Sequence, residues 1–145
     1  MVSDLERRRL QVVRDHMHLE IVHDWEGVLA TFAHPHYDIN DGMAVFDGRD
    51  AVLRYFAASR TPFPDQGNEV IAIASDGGDR VLVEFWLTGT DLGPLRRGDR
   101  VIEPTGKKFR VRMMASFEFQ PGSDKIVCER PYIDTGAIDR ALGIA

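Results

Sequence analysis

A single cysteine, Cys128, stands in 145 residues, so no disulfide can form within the chain. That shortage suits a reducing compartment. Long hydrophobic runs are missing as well. Nothing approaches the roughly 18 apolar residues of a membrane span, and the opening stretch MVSDLERRRLQVV has no apolar segment of the signal-peptide kind. The expected location is cytoplasmic. Positive charge is scarce: 18 Lys and Arg against 23 Asp and Glu give a formal net charge of -5, whereas a nucleic-acid surface needs clustered cations on one face. Arg7-Arg8-Arg9 and Arg96-Arg97 are preceded or followed by acids and read as solvated surface. Nucleic acid and membrane drop out as partners. No repeat or low-complexity tract divides the chain, and 43% hydrophobic residues suffice for one domain over residues 1–145.

The patterns that are present begin with Ser3-Asp4-Leu5-Glu6. This is a capping box, in which a hydroxyl and a carboxylate each take an unpaired amide at a helix start. In the helix that follows, LERRRLQVVRDHMHLEIV, Leu10, Val13, Met17 and Ile21 recur at steps of three and four, with His16 beside them. A second helix follows Asp24, carrying Trp25, Leu29 and Phe32 on one side, and ends at His34-Pro35. HPHYDIN is extended, and DGRDAVLRYFAAS forms a third helix closed before Pro62. From Glu69 onward the period becomes two. EVIAIAS, RVLVEFWLT, KKFRVRMMASFEF and KIVCERPYI are strands, DGGD and QPGSD are turns, and TGAIDRALG is a tail helix capped by Gly143.

The layout is α+β, with three N-terminal helices on one face of a curved, mostly antiparallel sheet and a cone-shaped cavity between them. A Gly-, Pro- and charge-rich insert joins RVLVEFWLT to KKFRVR. It reads as a long hairpin overhanging one end of the sheet, where a cavity mouth would be.

FAHPHYDINDGMAVFDGRDAVLRYF, FPDQGNEV, the LTGT and EPTGKK segments of Val81–Arg112, and DKIVCERPYIDTGAIDRALGI occur in that order. Together they resemble the SnoaL-like polyketide cyclase (ester cyclase) family. Its superfamily is named for nuclear transport factor 2 and also holds ketosteroid isomerase and limonene-epoxide hydrolase. The resemblance covers nearly the whole chain. It implies a cystatin-like, nuclear transport factor 2-like cone, while reactions vary independently of such a fold.

Strand alternation sorts the candidate residues. Phe109, Val111, Met113, Ala115 and Phe117 should face the cavity, with Arg110, Arg112, Met114 and Ser116 outward on a flat mixed face of the kind that related proteins use to form homodimers. On RVLVEFWLT, periodicity would bury Val81, Val83, Phe85 and Leu87. Placement on the family pattern instead points Glu84 and Trp86 into the pocket, and that placement is the expectation adopted. On KIVCERPYI, Val127, Glu129 and Pro131 share a face opposite Cys128, Arg130 and Tyr132. Relatives carry a catalytic Asp where this chain has Pro131, so the family machinery does not transfer. Asp134, matching a second family Asp, reads as the cap of the tail helix.

Two carboxylates facing an apolar cavity would raise each other's pKa, one serving as base and the other as acid. Glu129 and Glu84 are these candidates, or else partners of Arg130, Arg110 or Arg112. His16 would donate to a substrate oxygen, or be satisfied by a backbone carbonyl. Tyr37 and Asn40 would orient a carbonyl, although Asn40 also suits an NDG turn. Trp25, Phe56, Trp86, Met113 and Tyr132 complete the binding set. His34, His36 and Asp38 alternate toward one side, but no second ligand cluster accompanies them, so no metal and no cofactor are expected. The reading is an isomerase or cyclase acting by acid–base chemistry on an apolar carbonyl or polyketide-like compound. The alternative is a binding or dimeric accessory protein that kept the pocket and lost the catalytic Asp.

Overall fold

The computed structural model describes residues 1–144. Its helices are α1 (Asp4–Ile21), α2 (Trp25–Ala30), α3 (Arg49–Arg60) and α4 (Thr135–Leu142). The strands are β1 (His36–Ile39), β2 (Ala44–Asp47), β3 (Gly67–Ser75), β4 (Arg80–Thr90), β5 (Leu95–Arg97), β6 (Arg100–Ile102), β7 (Lys108–Phe119) and β8 (Ile126–Tyr132). No helix among the described residues is long and apolar enough to cross a membrane.

Side-chain caps fix the helix starts. Ser3 Oγ accepts from the Glu6 amide at 3.1 Å, and Asp24 and Asp134 accept from the Gly27 and Ala137 amides at 2.9 Å. Each answers a first-turn N–H that has no partner inside the helix. Asp134 is thus the expected cap. The second helix stops at Ala30, earlier than His34-Pro35, because Phe32 leaves it to bridge to Ile126 on β8.

Six strands make one sheet in the order β2-β1-β8-β7-β4-β3, while β5 and β6 form a separate ribbon. All neighbours in the large sheet are antiparallel except β1 and β8, whose parallel register sets Tyr37 beside Glu129. Register shifts at Val70/Ala72 and Glu118/Phe119 bend the sheet over the helices. The sequence reading missed β2 and the ribbon. They are three- or four-residue strands, too short to show a period.

Alternation along β7 buries Phe109, Met113, Ala115 and Phe117 and exposes Arg110, Arg112 and Met114, as expected. Each fully buried Phe, Val or Ile contributes about 1.5–3 kcal/mol, and the core includes Val13, Val28, Phe56, Phe117 and Ile126. Periodicity also wins on β4. Val81, Val83 and Phe85 are buried, which puts Glu84 and Trp86 on the outer face with exposed Leu82. The expectation that Glu84 and Trp86 point into the cavity is therefore corrected, since a strand cannot turn two residues over without breaking its register. Trp86 lies under the guanidinium groups of Arg110 (4.1 Å) and Arg112 (4.7 Å). Tyr132 is 52% exposed and shares the outer groove with Glu84 and Met114, so it too is not a cavity residue.

The insert between β4 and β7 folds back on α3. Asp91 accepts from the Thr105 amide and hydroxyl at 2.9 and 2.8 Å, and the Gly93 amide reaches Pro62 O at 3.1 Å. A Cβ at Gly93 would overlap the Thr61 carbonyl oxygen, so only glycine permits this approach. Two arginines read as solvated surface prove otherwise. Arg97 is bound by Asp139 of α4, with Nη2 to Oδ1 at 2.6 Å, and Arg9 is buried at 4% exposure.

Candidate functional site

On α1, a separation of four residues carries His16 and Glu20 to the same inward side. β8 brings Glu129 to them and its parallel neighbour β1 brings Tyr37. His16 Nε2 lies 2.8 Å from Glu129 Oε1 and 3.3 Å from Glu20 Oε1. Tyr37 Oη donates to Glu20 Oε1 at 2.9 Å and stands 3.4 Å from His16 Nε2. The rings of Phe117 and Phe32 meet His16 edge-on at 5.1 and 5.6 Å, closing the site to water on that side.

The proton on the far imidazole nitrogen can be assigned by elimination. Thr31 Oγ1 gives its only hydrogen to Val28 O at 2.6 Å, so at 2.9 Å it must accept from His16 Nδ1. Nε2 is then left to share a proton with the two carboxylates. Burial opposes a charge on His16, but the bonds and charges of Glu129 and Glu20 outweigh it and lift its pKa from 6.5 to about 9. For Glu129, burial together with the charge of Glu20 pushes the pKa upward. Glu20 moves down in spite of its burial, because His16, Arg60 and the Tyr37 hydroxyl favour its anion. Burial and both carboxylates raise Tyr37 well above its ordinary value, so its hydroxyl stays a donor. The result is an imidazolium beside one firm carboxylate and one carboxyl poised to exchange a proton.

Glu20 and Glu129 form part of the wall of a cavity of about 580 Å³. Apolar side chains dominate the remainder: Phe63, Phe85, Leu87, Leu95, Met113 and Ile138. Tyr55, Arg60 and Asn68 add polar groups, and the insert supplies Pro94 to Arg97 and Val101, as its expected place over the mouth requires. A space of this size, apolar with a few convergent polar groups, fits a small organic molecule.

The predicted residues sort clearly. Glu129 and Met113 line the cavity, and His16 and Tyr37 stand behind its carboxylates. Trp25 and Phe56 stack on each other at 4.6 Å, outside the lining. Asn40 is also set aside: at φ 48° it clamps the β8 end, giving Nδ2 to Ile133 O and accepting from Ile133 N. Its polar atoms are used up by the backbone. Sequence reasoning missed Glu20, Tyr55, Arg60 and Thr31, although the spacing of His16 and Glu20 was a usable signal.

His34, His36 and Asp38 do not converge. His34 Nε2 and His36 Nδ1 both meet Asp47 Oδ1, at 2.8 and 2.9 Å, while Asp38 accepts from Gly42. His16, Glu20 and Glu129 do offer one ligand atom each within 4.8 Å, a donor set that would suit a divalent transition metal. Such an ion would have to displace the proton shared at Nε2.

A family model described as a SnoaL-like domain matches residues 13–129. Among solved structures, a candidate SnoaL-like polyketide cyclase from Jannaschia sp. CCS1 superposes with a TM-score of 0.82 at 20% identity, covering 99% of this chain and 96% of that one. IdmH from Streptomyces antibioticus, a candidate polyketide cyclase, gives 0.75 at 20% identity over 93% and 98%. A Catenulispora acidiphila protein with a ketosteroid isomerase-like fold gives 0.74 at 15% over 93% and 94%. No curated protein matches the sequence. The fold is the cone of nuclear transport factor 2 and ketosteroid isomerase.

Proposed function

The chain belongs to the SnoaL-like domain family, and on that premise we propose that it is a small enzyme, independent of metal and cofactor, that moves a proton on an apolar, enolisable carbonyl compound. The observation that carries this reading is Glu129: a 5% exposed carboxyl on the cavity wall, held through Oε1 by His16 at 2.8 Å and displaced upward in pKa. Oε2 is the oxygen left for the substrate. In its ionised form Glu129 takes a proton from the carbon beside the carbonyl. The C–H electron pair moves to the carbonyl oxygen as an enolate, and the new carboxylic acid can return the proton at another atom. Return to a different carbon is an isomerisation; attack of the enolate carbon on a second carbonyl is a cyclisation. His16 and Glu20 hold Glu129 in place and set its proton affinity.

The test needs no natural substrate. 2-Tetralone in D2O should exchange its α-hydrogens faster with the protein than with buffer, by proton NMR, and EDTA should leave the rate unchanged. Glu129→Gln should keep the fold and reduce exchange by about 10²–10⁴-fold. Exchange that survives in Glu129→Gln would overturn the assignment.

Pro131 supports a second reading. It lies on the cavity wall where the family resemblance places an Asp, which favours a binding protein without catalysis. Ligand binding with no exchange on any enolisable ring ketone would select it. The outer sheet face is proposed as a homodimer surface. Leu82, Met114 and Tyr132 are exposed there, and the buried Ser116 hydroxyl has no partner among the described residues. Sedimentation at micromolar concentration should give twice the 16.4 kDa chain mass.

A further inference from the structure

Arg60 is a guanidinium on the cavity wall that the proton-transfer reading does not use. It ends α3, where an arginine ordinarily turns to the last helix carbonyls. Instead its Nη1 donates to Ser59 Oγ at 2.8 Å, and its buried Nε has no partner among the described residues. Among the described residues no carboxylate pairs with it either, although the other arginine of the lining that is partly buried, Arg97, is engaged by Asp139. The guanidinium plane lies over Trp25 at 4.9 Å and Phe56 at 5.7 Å. Stacking of this sort holds the fork in one orientation while leaving its edge free.

A structural arginine in the same molecule looks different. Arg9 gives Nε to Ser123 O at 2.8 Å, Nη1 to Gly78 O and Asp79, and Nη2 to Gln120 O at 3.1 Å. Every one of its nitrogens is used. A buried donor without an acceptor is destabilising; the unpartnered Nε of Arg60 is such a buried atom, while the residue itself lines the cavity.

A second group on the wall is also incomplete. Asn68 donates Nδ2 to Met17 O at 2.9 Å, which fixes the orientation of the amide, and its buried Oδ1 has no donor among the described residues. The wall therefore includes a guanidinium that forms no ion pair among the described residues, beside an amide whose buried oxygen is unpartnered.

From this geometry we infer that the cavity takes an organic carboxylate: an apolar ring compound whose acid group pairs with Arg60. The inference rests on the cavity being the ligand site of the proposed function and names the class of ligand that site accepts. Carboxylate and guanidinium match as two parallel N–H to O bonds.

The experiment compares 2-naphthoate with its methyl ester by calorimetric titration at pH 7, on the intact chain and on three variants. The acid should bind about tenfold or more tightly than the ester to the parent protein. Arg60→Met should abolish that preference while retaining ester binding, and Arg60→Lys should keep part of it, because the charge remains and the fork is lost. Arg112→Met removes the same charge from the outer face and should leave the preference intact. Melting curves on each variant confirm folding, and if Arg60→Met fails to fold, loss of preference in Arg60→Gln decides the matter. Equal affinity for acid and ester, or a preference that survives loss of Arg60, would overturn the inference while leaving the proton-transfer reading in place. Binding of neither compound, together with absent 2-tetralone exchange, would remove both.

Discussion

Arg9 and His16 lie two turns apart on the same inward face of α1, both buried. Around Arg9, three backbone carbonyls and Asp79 engage every guanidinium nitrogen, tying the β3–β4 turn to the β7–β8 turn. Around His16, the partners are two carboxylates and a threonine hydroxyl, and the carboxylates also face a cavity. Backbone carbonyls cannot change their proton count, so the Arg9 end, bound mostly by them, serves as a fastener. The His16 end is built from groups that do exchange protons, with their proton affinities displaced by one another, and that is what proton chemistry requires. Burial of a cation alone therefore says little about function. The nature of its partners says more.

The strongest way to test this contrast is to remove Arg9. Arg9→Met should destabilise the fold by about 3–5 kcal/mol, because three carbonyls and a carboxylate lose their donors together. Urea denaturation measures it. The folded fraction should exchange 2-tetralone at the parent rate, and a loss of rate per folded molecule would break the division between the two ends.

Next in size is the pH response of the cavity end. His16 binds its proton more tightly folded, at about 9, than unfolded, near 6.5. Its contribution is therefore complete below pH 6.5 and is lost as pH rises through about 9, in total on the order of 3 kcal/mol. The upward shift of Glu129 acts in the same direction above its unfolded pKa, while the downward shift of Glu20 stabilises above its own and is lost in acid. Melting temperature should fall from pH 6.5 to 9 in the parent and change little in His16→Gln. Arg9→Met should retain the parent slope.

A smaller effect is expected at the mouth. Gly93→Ala forces a methyl group against the Thr61 carbonyl, and overpacking of this kind costs about 1–3 kcal/mol. Because the insert carries Leu95 and Arg97 to the wall, ligand affinity should fall along with stability, in contrast to Arg9→Met.

Legibility followed the range of the interactions. Period-two alternation was enough to place Met113 inward and pointed Phe85 inward too, against the family placement that was adopted, and the Ser3, Asp24 and Asp134 caps were visible because their partners lie three residues away. Glu129 could be named because β8 is the strand on which relatives carry their acid. Glu20 was readable in principle from His16, but the stripe was centred on Val13 and Met17, which are buried, and ran on to Ile21, which is exposed, rather than to Glu20. Arg60 and Asn68 were beyond reach. Their significance lies in missing partners, which only the packing of α3, β3 and the aromatic rings reveals.

The smallest expected effect belongs to Glu84, and it sharpens the comparison most directly. Glu84 and Glu129 are the same residue type on strands separated only by β7, and both were predicted to share the cavity. Glu84 pairs in register with Met114 and faces the outer groove beside Leu82, Arg112 and Tyr132. Glu129 pairs with Phe117 and faces His16. Neutralising a partly buried outer-face glutamate with no hydrogen-bonded partner among the described residues should change stability by no more than about 0.5 kcal/mol. Glu84→Gln should therefore exchange 2-tetralone at the parent rate, with the parent pH profile, while Glu129→Gln loses both. A drop of more than about tenfold in Glu84→Gln would mean that charge on the outer face reaches the reacting proton through the sheet. The identity of the sheet face, and not only the residue type, would then no longer separate a catalytic carboxylate from a surface one.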